Sequence, residues 1–204
     1  MKLDIIGIAE TRWTNNGCMK RDDYTFIYSG GEKHQHGVGM LIKKNPEKHI
    51  LGYWTLNERM MLMKLKAKPF NLAVIQVYAP TSDYSDEQVE KYYDQIDEML
   101  KHCKSTEVVI VIGDWNAKVV KGKDGKIVGQ YGLASHRNER GDRLVQFCKE
   151  HDLVITNTFY QQHKRRTYTW KSLGDANRNQ IDYILITNRF KNLIKQVKTC
   201  PGAD

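Results

Sequence analysis

Short aliphatic runs bounded by turn residues recur along this chain and predict strands. They are LDIIGIA (Leu3 to Ala9), YTFIY (Tyr24 to Tyr28), GVGMLI (Gly37 to Ile42), NLAVIQVY (Asn71 to Tyr78) and VVIVI (Val108 to Ile112). The turn-rich SGGEKHQH separates the second from the third, and Pro80 closes the fourth. From Arg59 to Lys68 the pattern alternates: Met61, Met63, Leu65 and Ala67 fall on one face and Lys64, Lys66 and Lys68 on the other, which predicts a half-exposed strand. Ser85-Asp86-Glu87-Gln88 is a capping box, and Val89, Tyr92, Tyr93, Ile96, Met99, Leu100 and Cys103 follow at helical spacing. A second helix is expected from about Glu139 to His151, with Leu144, Phe147, Cys148 and His151 inward, leading into LVITN. YTW and QIDYILI (Gln180 to Ile186) supply the last strands, and no repeat, low-complexity tract or linker intervenes. Two mixed sheets packed face to face, with helices outside, bury all of these faces; the expected class is α/β.

Several strands end on residues able to bind metal or move a proton. LDIIGIA ends at Glu10, LAVIQVY at Tyr78, and VVIVIG at Asp114 with Asn116 two residues on. In open sheets ligands gather beyond the carboxyl ends of strands, and an antiparallel neighbour would bring its beginning to the same edge, where Asp182 sits in QIDYILI. Each residue alone has an ordinary explanation. Glu10 is the first solvated residue after a strand, Asp114 and Asn116 suit an Asx turn, and Tyr78 suits a core. Asp182 is harder to explain that way, because an unpaired carboxylate among aliphatic residues is costly to bury.

Composition narrows the classes. The 204 residues fit one domain, 1–204, with 40% hydrophobic and 27% charged residues, as in an ordered globular protein. Thirty-two Lys and Arg against 24 Asp and Glu leave a net charge of +8, which suits polyanionic partners as well as plain solubility. Much of the excess lies at Lys64, Lys66 and Lys68, at Lys118, Lys121, Lys123 and Lys126, and at Lys164, Arg165 and Arg166 beside Tyr168 and Trp170. The last cluster joins cations that hold phosphate to rings that stack on bases, and best suits nucleic acid. Cys18, Cys103, Cys148 and Cys200 form no CxxC pair, so neither a zinc site nor a redox motif is indicated. Free thiols point to a reducing compartment, nuclear or cytoplasmic. With no signal-peptide h-region and no apolar run of spanning length, neither secretion nor a membrane is expected. No GxGxxG follows a strand, which disfavours a dinucleotide-binding dehydrogenase.

IAETRW, VYAPTS, GDWNAK, RTYTW and QIDYIL occur in the order and at about the spacing of the endonuclease/exonuclease/phosphatase superfamily. RLVQFCKEHDLVITNT and RNQIDYIL most resemble endonuclease domains of RTE-type non-LTR retrotransposons and the related craniofacial development protein 2-like proteins. The resemblance implies a DNase I-like four-layer α-β-β-α sandwich that hydrolyses phosphodiesters, here duplex DNA, with Mg²⁺ or Mn²⁺. It implies that Glu10 is a metal ligand and that Tyr78 stabilises charge at the scissile phosphate. On the same resemblance Asp114 would orient or deprotonate the attacking water, and Asn116 would hold phosphate or assist Asp114. Asp182 would orient a catalytic histidine, and Thr169 and Trp170 would belong to the strand flanking the site; with the basic cluster Lys164, Arg165 and Arg166 they are the expected nucleic-acid contacts. The chemistry suits these residue types: a phosphodiester repels nucleophiles until a hard cation on oxygen ligands offsets its charge, and Mg²⁺ is often held by one or two carboxylates with water and phosphate completing its shell.

Two parts of the family pattern are missing. Members open with a strand carrying a metal-site Asn and then a helix, and they close with an SDH-type motif and a final strand, whereas this sequence ends at CPGAD. None of its seven histidines, His34 and His36 included, matches a family site. A domain incomplete at both termini is therefore expected, with impaired catalysis, low stability and unpaired strand edges prone to aggregation. Alternative functions are a catalytically dead nucleic-acid-binding or interaction module, and an RNA or phospholipid phosphodiesterase of the same superfamily. No stable protein partner is expected.

Overall fold

The computed structural model describes residues 3–200. Met1, Lys2 and Pro201 to Asp204 lie outside the described residues, and the expectation drawn from the CPGAD terminus falls largely there. The chain comprises two compact units, Met1–Asp114 and Trp115–Asp204.

In the first unit β1 (Ile5–Ala9), β2 (Asn16–Lys20), β3 (Tyr24–Ser29) and β4 (Val38–Lys43) form a sheet in the order β1-β4-β3-β2, every pair antiparallel. A single turn, α1 (Lys44–Glu47), leads to β5 (Ile50–Asn57), β6 (Met60–Leu65) and β7 (Leu72–Tyr78), paired antiparallel. Helix α2 (Asp86–Lys101) then carries the chain to β8 (Val108–Asp114), parallel to β7. Alternate residues of facing strands make one buried cluster: Ile27, Val38, Met40 and Ile42 with Met61, Met63, Leu65, Val74 and Tyr78. Helix α2 starts where its capping box places it. The Ser85 hydroxyl accepts from the Gln88 N–H, and the Gln88 side chain accepts from the Ser85 N–H at 3.1 Å.

Strand β6 differs from expectation. All six residues are buried, Lys64 included, because β6 lies between β5 and β7 and is covered on both faces. The Lys64 ammonium donates to Glu107 at 2.8 Å and to the His102 carbonyl at 2.6 Å, at the C-terminal end of α2, so a long basic side chain occupies an interior position. Lys64 therefore contributes nothing to a basic surface. Strands β2 and β5 were not anticipated, since the polar NGCMK has no apolar period and β5 leaves Leu51, Tyr53, Trp54 and Leu56 exposed.

In the second unit α3 (Glu139–Glu150) is capped by the Asn138 side chain, which accepts from the Gly141 N–H, and buries Leu144, Val145, Phe147 and Cys148. Strands β9 (Leu153–Ile155) and β12 (Asp182–Thr187) pair antiparallel, and β10 (Trp170–Lys171) with β11 (Arg178–Asn179) makes a two-stranded ribbon. Both units combine sheet and helix, as the α/β class requires.

Candidate active site

Strands β7 and β8 run parallel, so their carboxyl ends reach the same edge, and the register sets Tyr78 directly opposite Asp114. Gly113 makes that ending possible. Its φ of +147° is glycine territory, and a Cβ there would lie 1.9 Å from the Val77 carbonyl oxygen. The strand thus ends with Asp114 pinned by its own backbone, whose carbonyl accepts from the Ala79 N–H at 2.8 Å. Glu10 follows β1 with a left-handed φ of +55°, unusual for this residue. Its Oε1 accepts from the Tyr78 hydroxyl at 3.0 Å and its Oε2 from Arg12 at 3.3 Å, while the side chain stays about half exposed. The Tyr78 ring is buried. Burial, then the hydrogen bond to Glu10 and the charges of Glu10 and Asp114, push the phenol up to about 12 against an opposing effect of Arg59. Tyr78 thus remains a protonated donor through the neutral range.

Three further residues join this group that sequence reasoning did not select. Arg59, in the two-residue turn between β5 and β6, donates to the Tyr78 carbonyl at 3.3 Å and to the Tyr84 hydroxyl at 2.9 Å. Its guanidinium lies over both rings, 5.3 Å from the Tyr78 centroid and 4.9 Å from that of Tyr84. His36 places Nε2 3.2 Å from the same guanidinium and its ring 5.9 Å from that of Tyr78. Arginine can only donate, so Nε2 is an acceptor and the imidazole is neutral; burial and then Arg59 lower its pKa, which agrees. The glycine- and histidine-rich loop gave no periodic signal that would have singled out His36.

In the second unit Trp115 is buried and its indole donates to the Tyr183 carbonyl at 3.2 Å. This anchors the segment on which Asn116 adopts a left-handed φ of +46°, which asparagine tolerates well. Asp182 opens β12. Burial raises its carboxyl pKa and Thr169 opposes that rise. The Thr169 hydroxyl accepts from the N–H groups of Ile181 and Asp182 at 3.0 and 3.2 Å, so this side chain shapes the start of β12. Among the described residues no histidine is hydrogen-bonded to Asp182, where the resemblance implies one.

Lys164, Arg165 and Arg166 form one exposed 3-10 turn. Arg165 and Arg166, with Gln162, His163, Lys198, Thr199 and Cys200, line a cleft of about 590 Å³, to which Lys198 adds a cation not selected from the sequence. Trp170 is exposed on the β10-β11 ribbon.

Among the described residues no group of three or more His, Cys, Asp or Glu side chains could by itself hold a metal ion. One half-exposed carboxylate, Glu10, is what magnesium needs when phosphate and water supply its other ligands, so the donor set fits that mode and no all-protein cage. Among the described residues no helix is long and apolar enough to cross a membrane.

A profile of the Endonuclease/Exonuclease/phosphatase family matches residues 2–204. Craniofacial development protein 2 of Bos taurus is 40% identical over 205 residues, an alignment covering 100% of this chain and 34% of that protein. The chain spans about a third of the length of the curated relatives it matches. Among solved structures, the endonuclease domain of TRAS1, a telomere-specific non-LTR retrotransposon, is 15% identical with a TM-score of 0.59, over 84% of this chain and 70% of that one. The AP endonuclease LMAP of Leishmania major is 11% identical with a TM-score of 0.64, over 93% and 71%. At these identities the structural likeness is one of fold.

Proposed function

Since the chain belongs to the endonuclease/exonuclease/phosphatase family, we propose that it is the core of a metal-dependent DNA endonuclease of retrotransposon origin. One observation supports this most: the Tyr78 hydroxyl hydrogen-bonded to Glu10, with Asp114 opposite Tyr78 at the shared end of two parallel strands. Glu10 is the carboxylate that would hold Mg²⁺ or Mn²⁺. The bound cation would supply Lewis acidity toward a phosphate oxygen. Tyr78, kept protonated, would turn its single O–H from Glu10 to the phosphate as negative charge develops there. Asp114 accepts a proton from, or orients, the attacking water. Asn116, by family resemblance, donates to phosphate. Lys164, Arg165, Arg166 and Trp170 hold the nucleic acid, with cations on the backbone and an exposed ring for a base. A DNA substrate implies a nuclear site of action.

A second reading is favoured by Asp182, which meets no histidine among the described residues: a binding module that retains affinity without turnover. Incubating the chain with supercoiled plasmid and Mg²⁺ or Mn²⁺, beside Asp114→Asn and an EDTA control, separates the two. The expected result is nicking that both controls abolish. Plasmid affinity that falls steeply with salt and never yields product would establish the binding module instead. Cleavage of RNA or an inositol phosphate in preference to duplex DNA would move the substrate within the family.

A further inference from the structure

The turn between β5 and β6 is held on three sides by the first unit. The Ser29 hydroxyl donates to the Asn57 carbonyl at 2.6 Å, the Gly37 N–H to the Glu58 carbonyl at 2.9 Å, and the Tyr78 N–H to the Arg59 carbonyl at 2.8 Å. Asn57 adds a fourth tie, since its side-chain oxygen accepts from the Arg59 N–H at 2.8 Å and its amide donates to Gln95 of α2 at 2.9 Å. A surface hairpin tip needs no such fixation. Here it fixes one side chain, Arg59, whose guanidinium is partly buried between the rings of Tyr78 and Tyr84.

The partners of that guanidinium are all neutral: a main-chain carbonyl, a phenol and the lone pair of a neutral imidazole. Among the described residues Arg59 forms no ion pair with a carboxylate, whereas the largely buried side chains of Lys64 and Arg137 are both paired with carboxylates. A partly buried cation without a counter-ion is unfavourable unless an anion completes it. Arginine has five N–H donors, and the three bonds in place leave the Nε–H and one Nη1–H unused. A phosphate oxygen is the anion that guanidinium geometry best suits. The Glu10 carboxylate is instead hydrogen-bonded to Tyr78 and Arg12.

We propose that Arg59 binds a phosphate of the nucleic-acid backbone next to Tyr78, and that Tyr84 and His36 are positioning residues that hold its guanidinium ready. The assignment rests on the endonuclease reading for its substrate, while the anion site itself rests on geometry alone. It adds a cationic contact distinct from the exposed turn Lys164 to Arg166 and directed at the phosphate on which Tyr78 acts.

The test compares the chain with Arg59→Gln, Arg59→Lys and Tyr84→Phe, each checked by circular dichroism for an unchanged melt. Two quantities are read on duplex oligonucleotide and supercoiled plasmid: the slope of log affinity against log salt, and the nicking rate. Arg59→Gln is expected to reduce the slope by about one and nicking by about 100-fold. Arg59→Lys should restore the slope but only part of the rate, and Tyr84→Phe should lower the rate while leaving the slope alone. An Arg59→Gln chain with unchanged slope and rate would overturn the proposal. If the parent chain neither binds nor nicks DNA, the endonuclease reading fails, and the anion site is then judged by titrating inorganic phosphate against the Arg59 Nε–H resonance. A saturable shift there supports the site, and a resonance indifferent to phosphate refutes it.

Discussion

Tyr78 shows how a residue of ordinary core type acquires chemistry. Its ring completes a buried cluster while its hydroxyl reaches the half-exposed carboxylate of Glu10, and the burial that stabilises the ring also keeps the phenol protonated. Replacing Tyr78 with Phe keeps the packing and the contact with Arg59 but removes the donor. Nicking should fall about 100-fold with a melting temperature changed by only a few degrees; an unchanged rate would remove Tyr78 from the chemistry. Glu10 and Asn116 both sit at positive φ, a conformation that costs of order 1 kcal/mol or more in a residue such as glutamate and less in asparagine. Both belong to the five strand-end residues, Glu10, Tyr78, Asp114, Asn116 and Asp182, that the sequence marks as candidates. Arg59 was not singled out, because an arginine beside an alternating strand reads as solvated until its ring contacts are known.

At the scale of elements, β8 and its glycine decide where Asp114 stands. A side chain at Gly113 meets both an unfavourable φ and the Val77 carbonyl. Gly113→Ala should therefore destabilise the chain by about 2 kcal/mol or more, read as a lower denaturant midpoint, and should impair nicking further by displacing Asp114. A variant as stable as the parent would show that the strand end relaxes freely. Helix α2 and α3 were legible from caps and spacing, because those signals are local. Strand β6 has the pattern of a half-exposed strand because Lys64, with Lys66 and Lys68 just beyond its end, imitates a solvent face. The counter-ion that makes Lys64 tolerable is Glu107, 43 residues away, and no local pattern reports it.

For the whole molecule, charge sets behaviour with pH and salt. Asp124 in the second unit accepts from Arg137 at 3.0 Å and pairs with Lys149 at 3.4 Å. The Arg137 hydrogen bond foremost holds its carboxyl below the ordinary value of 3.8; burial opposes this, and Lys149 adds to the lowering. The folded state is therefore the stronger acid. This contribution is complete above pH 4 and is lost as pH falls from 3.8 through the folded value. Asp124→Asn should lower stability at neutral pH and flatten the loss of stability below about pH 4, as followed by denaturant titration at several pH values. The same acid slope in both chains would refute it. The exposed Leu51, Tyr53, Trp54 and Leu56 lie on β5 at the end of its sheet, although two register shifts break the regularity of that strand.

The sequence by itself determined the family, the two capped helices, most strands and which polar residues stand at strand ends, because hydrophobic period, capping chemistry and short motifs are written within a few residues of one another. Tertiary structure decided the rest. The Tyr78 to Glu10 bond joins residues 68 apart, and the contact of His36 with Arg59 joins residues 23 apart. The burial of Lys64 and the neutral state of His36 depend on what other strands and loops place around them. Distance along the chain gives no measure of these contacts, since the pairing of strands brings them together and burial then fixes which group carries charge.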